Sequence, residues 1–240
     1  MKNNLKTAVI LAGIGGLMIM VGGAIGGSAG AAIGLLCFRG PYLAATAAMT
    51  AQYLLFNLFH LDGLVDTADA AGVLGDDREK RRAVLKDPRL GTYGFFAGFL
   101  ALAARLGATA AILSAGGAAA WGSLLLVPTA GRLAAMTVAA SGTPAGGGGL
   151  GSALGAVSPV RSGLGYSLAA FPGALLWGLG FGPLAAAGAL LAGCLVALTA
   201  GIGVWRWYRA RIGGYTGDAL GAAVELAELG TLLAAVVVLA

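Results

Sequence analysis

Long uncharged stretches alternate with short charged segments along this chain. Residues 7–36 contain no Asp, Glu, Lys or Arg, and residues 162–205 form a second such stretch. An α-helix rises about 1.5 Å per residue and the apolar core of a bilayer is about 30 Å thick, so the first stretch is long enough for one crossing and the second for two. Because the apolar runs are continuous and do not alternate with polar residues, they predict transmembrane helices and disfavour transmembrane strands.

Seven helices fit the whole pattern. The predicted spans are residues 7–36, 40–61, 93–115, 121–140, two helices within 162–205 that meet near Pro183, and 218–240. A signal peptide is the alternative for the first span, but this apolar run is longer than that of a typical signal peptide. The predicted fold class is therefore all-α, a polytopic membrane helical bundle of about seven transmembrane helices.

The composition is typical of a membrane protein. Hydrophobic residues make up 58% of the chain and charged residues only 10%, whereas a soluble domain has about 25% charged residues. Glycine accounts for 43 of the 240 residues, and small residues of this kind let membrane helices approach closely. The predicted helices fill the chain, so we expect one membrane-embedded domain over residues 1–240.

The basic residues indicate the orientation in the membrane. Lys and Arg outnumber Asp and Glu by 15 to 10, and they concentrate near the start of the chain and in polar loops at about 62–92, 141–163 and 206–218. Seven spans with an internal N-terminus place all these segments on one side, which the positive-inside rule assigns to the cytoplasm. We therefore expect the lipid bilayer, and no nucleic acid, as the partner of these charges.

Three aspartates form the most informative pattern. In FHLDGLVDTADAAG, Asp62, Asp66 and Asp69 recur at spacings of four and three, which places them on one face of a helix. Such carboxylates repel one another unless a cation binds, and hard oxygen ligands suit Mg²⁺ or Mn²⁺. The alternative is a solvated first turn of a helix, where the helix dipole favours Asp. His60 precedes this group, either as a base or ligand or as an imidazole in an ordinary hydrogen bond.

A basic segment follows the aspartates. Lys86, Asp87 and Arg89 lie in DDREKRRAVLKDPRLGTYG (76–94), where cations could hold phosphates and the glycines at the end permit a close approach of the backbone. For the arginines that precede them, a solvated topogenic loop is an equal alternative. The segment is therefore a candidate phosphate-binding loop.

Ionisable residues also interrupt the apolar spans. Arg105 and Arg132 lie within predicted spans, and a cation in the membrane is costly unless it is paired or faces a polar cavity. In the last helix, Asp218, Glu225 and Glu228 share one face. We therefore expect Asp218, with Glu225 or Glu228 deeper in the bundle, to face the aspartate motif across one polar cavity and to complete the active site.

Three motifs together resemble those of a known family. HLDGLVDTAD (60–69), LKDPRLGTYG (85–94) and GGYTGDALGA (213–222) are similar to motifs of cobalamin synthase, the adenosylcobinamide-GDP ribazoletransferase family, and occur in the same order. The resemblance implies a Mg²⁺-dependent enzyme of the late vitamin B12 pathway. Such an enzyme lies in the cell inner membrane with its active site facing the cytoplasm. It joins adenosylcobinamide-GDP to α-ribazole or its 5′-phosphate and releases GMP.

The residue patterns and the resemblance together assign roles within one catalytic domain. The candidate catalytic residues are His60, Asp62, Asp66, Asp69 and Asp218, and the three aspartates of the motif are the candidate Mg²⁺ ligands. The candidate residues for substrate and phosphate binding are Lys86, Asp87, Arg89, Arg132, Arg161, Gly214 and Thr216. Other corrinoid-pathway enzymes or a second copy of the chain are the candidate protein partners.

Two alternative functions stay open at this point. A CDP-alcohol phosphotransferase also uses clustered aspartates on membrane helices, but its motif has Ala-Arg where this chain has Val65 and Asp66. A divalent-cation transporter would use intramembrane carboxylates as its pathway. The sequence shows no inverted repeat of the kind found in many such transporters.

Overall fold

The computed structural model describes residues 40–146 and 157–239, and most of these residues are helical. The helical elements are α1 (Pro41–Gln52), a π-helical turn (Tyr53–Asn57), α2 (Leu58–Ala71), α3 (Arg78–Val84), α4 (Thr92–Ala115), α5 (Gly117–Ser141), α6 (Pro159–Phe181), α7 (Pro183–Arg211) and α8 (Gly217–Leu239). Within these two ranges no β-strand is present, and one parallel bridge joins Pro144 to Tyr215.

Within the described residues, five helices, α4 to α8, are long and apolar enough to cross a membrane. This result confirms the all-α, polytopic fold class. The continuous helical run from α1 through α2 contains the predicted span at 40–61. The predicted span at 7–36 and part of the predicted loop at 141–163 lie outside the described residues. The turn predicted near Pro183 is confirmed, because Gly182 separates α6 from α7 with a left-handed φ of +92°.

Two polar connections differ from the prediction. The segment predicted as a loop at 62–92 is largely helical, because α2 continues to Ala71 and α3 begins at Arg78. Charged residues along one face do not interrupt a helix whose other face packs against protein. The loop predicted at 206–218 is shorter, because α7 continues to Arg211, where basic residues in the last turn complement the helix dipole.

The spans pack around α5, which is the most buried of the five and contacts α6, α7 and α8. Small residues allow these helices to approach closely. A Cβ atom added to Gly122 would lie 2.6 Å from the carbonyl oxygen of Gly173 on α6, and one added to Gly173 would lie 2.7 Å from the carbonyl oxygen of Gly122. Glycine is therefore required on both sides of this contact, as is common where helices associate in membranes.

Four charged side chains meet in the interior of the bundle. Arg105 on α4, Arg132 on α5, and Glu225 and Glu228 on α8 are each at most 9% exposed. Arg105 donates to Glu228 Oε2 at 2.8 Å and to Glu225 Oε2 at 2.9 Å, and Arg132 donates to Glu228 Oε1. Two positive and two negative charges cancel, so the cluster places no net charge in the apolar interior.

The helical run that precedes α2 supplies further partners for these charges. Tyr53 donates to Glu225 Oε2 at 2.8 Å, and Asn57 donates to Glu228 Oε2 at 2.9 Å while its own amide oxygen accepts a bond from Arg132 at 3.0 Å. Both residues belong to the π-helical turn. The four charged residues with Tyr53 and Asn57 are called the ion network below. The network connects the helical run that carries the aspartates to α4, α5 and α8.

Glu228→Gln should lower the free energy of unfolding by about 3 kcal/mol or more, because it leaves two buried arginines with one carboxylate. The measurement is thermal unfolding of the purified protein in detergent, where the midpoint of the variant should fall well below that of the wild type. Glu79→Gln makes the same chemical change on the exposed surface of α3 and should leave the midpoint unchanged. Equal midpoints for the two variants would show that the ion network does not hold the bundle together.

Candidate active site

The aspartate motif lies where α2 crosses the start of α8. A Cβ atom added to Gly63 would lie 2.7 Å from the carbonyl oxygen of Asp218 and 2.9 Å from its Cα. Further along the same crossing, a Cβ atom added to Gly221 would lie 3.0 Å from the carbonyl oxygen of His60. The two helices are in backbone contact, and the glycines permit this contact. The predicted convergence of Asp218 with the aspartate motif is therefore confirmed.

The carboxylates at this crossing have no basic partner among the described side chains. In the described part of the chain, the ion pairs involve neither Asp62, Asp66 nor Asp218. Asp66 lies outside the membrane-spanning segments. Its partial burial, and then the negative charges of Asp62, Asp218 and Asp69, raise its pKa to about 6. The neighbouring negative charges therefore oppose the ionisation of Asp66, and a bound cation would relieve this repulsion. Asp62, Asp66 and Asp218 are called the acidic site below.

The acidic site fits a hard divalent cation by its donor chemistry. Carboxylate oxygens are the ligands that Mg²⁺ prefers in proteins. Asp62 is exposed, and Asp66 and Asp218 are partly exposed, so all three side chains are accessible to an ion. Among the described residues, no three His, Cys, Asp or Glu side chains are already gathered around one point. Binding of one ion would therefore require the aspartate side chains to turn toward each other.

Asp69, the third aspartate of the motif, has partners of its own. Its carboxylate accepts hydrogen bonds from the backbone N–H groups of Gly91 and Gly94, both at 2.8 Å, at the N-terminus of α4. The helix dipole favours a negative charge at this position. A Cβ atom at either glycine would lie 2.3 Å from an oxygen of Asp69. The close backbone approach expected at these glycines is thus an approach to Asp69, whose role as a Mg²⁺ ligand stays a prediction.

Hydroxyl groups surround the start of α8. Thr216 donates to Asp218 Oδ2 at 3.1 Å, and its oxygen accepts a bond from the N–H of Ala219 at 3.4 Å, as an N-cap does. Thr67 on α2 hydrogen-bonds to Tyr208 on α7, with 2.7 Å between the oxygens, and Tyr208 is fully buried. Thr216, predicted to bind phosphate, therefore positions Asp218. Sequence reasoning missed Thr67 and Tyr208, and the place of Thr67 inside the aspartate motif was the signal that could have found it.

An open cleft of about 660 Å³ lies beside the aspartate motif, and Asp69 forms part of its wall. Asp87 and Arg89 also line this cleft, called the Asp87 cleft below, and form a two-pronged ion pair. Arg89 Nε donates to Asp87 Oδ1 at 2.9 Å, and its terminal NH2 group donates to Oδ2 at 2.7 Å. These bonds lower the pKa of Asp87 to about 2. Lys86 and Arg161 are exposed and do not line the cleft.

The arginines that precede the cleft fasten α3 to the bundle. Arg82 donates to the carbonyl oxygen of Ile212 at 3.0 Å, and Arg78 donates to that of Ala210 at 3.0 Å, both at the C-terminal end of α7. Arg81 is buried and donates to backbone carbonyls of the connection before α3. Cations stabilise this end of a helix. These arginines are therefore structural, and a solvated loop does not describe them.

The charges predicted to gather around a substrate cavity deeper in the bundle are paired with one another. Arg132, Glu225 and Glu228 all belong to the ion network. Glu228 lies ten residues beyond Asp218, which is about 15 Å along α8. Pairing keeps these charges out of lipid, so their burial does not require a substrate.

Two other predicted residues also lie within protein contacts. Gly214 packs against the connection after α5, because a Cβ atom there would lie 2.8 Å from the carbonyl oxygen of Thr143. His60 is 9% exposed and its ring packs on Phe59. Its Nδ1 atom is buried and has no hydrogen-bond partner among the described residues. The structure therefore places Asp62, Asp66 and Asp218 together, with the Asp87 cleft beside them, and it places His60 and Gly214 in helix and loop contacts.

Gly94→Ala should displace Asp69 from the start of α4 and destabilise the protein by about 1 to 3 kcal/mol, the usual cost of overpacking. Gly107→Ala is the matched control on the same helix, because among the described residues no atom outside the adjacent helix backbone lies within 4 Å of the added Cβ. It should be neutral or slightly stabilising, since alanine favours a helix. Thermal unfolding of the two variants in detergent tests this prediction. A midpoint for Gly94→Ala at or above that of Gly107→Ala would contradict the close contact between Asp69 and the start of α4.

Comparison with known proteins identifies the family. The family model for cobalamin-5-phosphate synthase matches residues 7–236. The adenosylcobinamide-GDP ribazoletransferase of Pseudomonas paraeruginosa is 40% identical over 201 residues, which cover 81% of this chain and 74% of its own length. The protein of the same name from Thiobacillus denitrificans is 36% identical, and the match covers 88% of this chain and 80% of that protein. The one from Halorubrum lacusprofundi is 38% identical, and the match covers 80% of this chain and 75% of that protein. No solved structure matches the chain. With its three motifs and its acidic site at the α2–α8 crossing, the chain belongs to the cobalamin-5-phosphate synthase family.

Proposed function

We propose that this chain is an adenosylcobinamide-GDP ribazoletransferase, which joins adenosylcobinamide-GDP to α-ribazole or its 5′-phosphate and releases GMP. The relatives that carry this name match most of the chain. The observation that carries the proposal within the molecule is the backbone contact between Gly63 and Asp218. It brings two motifs that are distant in the sequence to one helix crossing, so that their carboxylates could turn toward a shared diphosphate.

The reaction is a displacement at phosphorus. The ribose 3′-hydroxyl of α-ribazole attacks the phosphorus that is bonded to the cobinamide arm, a new P–O bond forms, and the P–O bond to the second phosphorus breaks. GMP leaves with the bridging oxygen. The attacking hydroxyl must lose a proton, and a carboxylate of the acidic site can accept it.

We further propose Mg²⁺ as the cofactor, held by Asp62, Asp66 and Asp218. The raised pKa of Asp66, caused by its partial burial and then by the charges of the neighbouring aspartates, supports this assignment. When bound, Mg²⁺ neutralises the diphosphate and stabilises the leaving GMP. Asp218 is held for this role by its hydrogen bond from Thr216.

The acidic site is proposed to face the cytoplasm from the cell inner membrane. Arg78 and Arg82 contact the C-terminal end of α7, and five residues separate this end from the start of α8, where Asp218 lies. Basic side chains and the acidic site therefore share one end of the bundle. Positive charge beside a membrane favours the cytoplasmic side, which is also where a nucleotide-activated substrate would be available.

Purified protein in lipid should release GMP only when adenosylcobinamide-GDP and α-ribazole 5′-phosphate are both present with Mg²⁺. The rate should fall at least about tenfold in each of three variants, Asp62→Asn, Asp66→Asn and Asp218→Asn. Impairing a metal site typically costs about 10- to 100-fold in activity, and tenfold is the lower end of this range. Glu79→Gln changes an exposed carboxylate in the same way and should keep the wild-type rate. Full activity of all three Asn variants at limiting Mg²⁺ would exclude the acidic site, and lack of GMP release by the wild type would exclude the reaction.

Asp66 should also make the stability of the metal-free protein depend on pH. Folding raises its pKa from 3.8 to about 6, so the folded state holds this proton more tightly than the unfolded chain does. The resulting stability is present below pH 3.8 and is lost as the pH rises through about 6. In EDTA at a pH of about 7.5, Asp66→Asn should therefore unfold at a higher temperature than the wild type, because Asn carries no charge.

The control for this measurement is added Mg²⁺. The ion should stabilise the wild type more than Asp66→Asn, because it binds the folded state through the carboxylate that the variant lacks. Unfolding midpoints that are equal at a pH of about 7.5 without metal would contradict the crowding of carboxylates around Asp66.

A further inference from the structure

The Asp87 cleft has walls of two kinds. Lys80, Asp87 and Arg89 supply charge, whereas Leu74, Leu90 and Tyr93 supply apolar surface. Leu74 and Leu90 are 88% and 61% exposed, although they lie on connections between helices and not on a span. A volume of about 660 Å³ is in the range of small-molecule sites, which combine apolar walls with a few placed polar groups. The cleft is therefore suited to a ligand with a flat apolar part and a charged part.

The ring of Tyr93 is a fixed part of this wall. A Cβ atom added to Gly72 would lie 2.3 Å from the ring, so the ring rests directly on the backbone at the end of α2. Tyr93 as a residue is nevertheless 62% exposed in the described structure, and it lines the cleft. A rigid aromatic surface of this kind can stack with a nucleobase.

The carboxylate of Asp87 presents a specific pattern of acceptors. Its two oxygens accept parallel N–H bonds from Arg89, and Oδ1 also accepts the backbone N–H of Arg89 at 3.1 Å, which fixes the side chain. The Watson–Crick edge of guanine presents the same two parallel donors, N1–H and the N2 amino group. Adenine presents one donor beside an acceptor, and therefore cannot replace Arg89 in this pairing.

Arg89 can give up this contact at little cost. Its side chain is 86% exposed, and exposed ion pairs contribute little to stability. A ligand that offers the same two donors can take its place on Asp87. The released guanidinium is then free to bind a phosphate, for which its geometry is well suited. Asp87 stays ionised at neutral pH without the Arg89 side chain, because an ordinary aspartate has a pKa of about 4.

We infer that the Asp87 cleft is a guanine-nucleotide subsite, in which Asp87 binds the Watson–Crick edge of the base, Tyr93 stacks on the base, and Arg89 and Lys80 bind the phosphates. This inference rests on the proposed function, because it gives the guanosine of adenosylcobinamide-GDP a site of its own. Asp69 belongs both to the wall of the cleft and to the aspartate motif. A nucleotide in the cleft therefore lies beside the acidic site, where its diphosphate is needed.

Binding of free nucleotides tests the subsite separately from turnover. The full chain is placed in lipid nanodiscs at fixed Mg²⁺ and titrated with GMP, XMP and AMP by calorimetry. The wild type should bind GMP at least tenfold more tightly than XMP or AMP. XMP has a carbonyl in place of the N2 amino group, so Asp87→Asn, which has one acceptor and one donor, should prefer XMP to GMP. Tyr93→Ala should weaken both GMP and XMP at least tenfold without changing their ratio, and Glu79→Gln should bind as the wild type does.

The outcomes separate this inference from the proposed function. Equal binding of GMP and AMP by the wild type, an unchanged preference for GMP in Asp87→Asn, or the loss of both ligands by this variant would overturn the guanine subsite. Release of GMP from adenosylcobinamide-GDP is measured on the same wild-type preparation. If GMP is released but any of those binding results is found, the guanine subsite is wrong and the proposed function is retained. If no GMP is released, the proposed function is wrong, whichever nucleotide the protein prefers.

Discussion

Glu228 binds two buried arginines, and the placement of the acidic site depends on this contact. Glu225 and Glu228 follow Asp218 along α8 and lie deeper in the bundle. Their hydrogen bonds to the arginines of α4 and α5 fix the rotation of α8 about its axis. Tyr53 and Asn57 bind the same two glutamates from the helical run that continues into α2. The ion network therefore fixes both helices that carry the acidic site, and their rotations bring Asp218 against Gly63.

The two groups of charged residues follow opposite rules. Within the ion network every charge has an opposite charge beside it, as burial in an apolar interior demands. In the acidic site three carboxylates lie together without a basic partner among the described residues, and the pKa of Asp66 rises to about 6. Such an arrangement reduces the stability of the metal-free protein and leaves carboxylates available to bind a cation. Loss of stability at a site that gains chemistry is a common compromise in enzymes.

The spans and the aspartate face could be predicted from sequence, because both follow from periodicity and length alone. The partners of buried charges could not. Within an apolar span, a glutamate on another helix and a substrate phosphate are equivalent partners for Arg132, and only the packing of the helices decides between them. Gly94 is a similar case, since glycine indicates that something approaches the backbone closely but does not identify Asp69. Tyr208 gave no signal at all, because a tyrosine within a span is ordinarily packing.

The role of the contact between α2 and α8 is tested most directly with the Gly63→Ala variant. The measurement is the rate at which this variant releases GMP from adenosylcobinamide-GDP. The added methyl group would lie 2.7 Å from the carbonyl oxygen of Asp218, so the helices must separate and the acidic site must open. Displacements of about 1 Å cost enzymes on the order of a hundredfold in rate. The rate should therefore fall at least tenfold in Gly63→Ala and stay at the wild-type value in Gly107→Ala. A wild-type rate for Gly63→Ala would contradict the assembly of the active site by this helix contact.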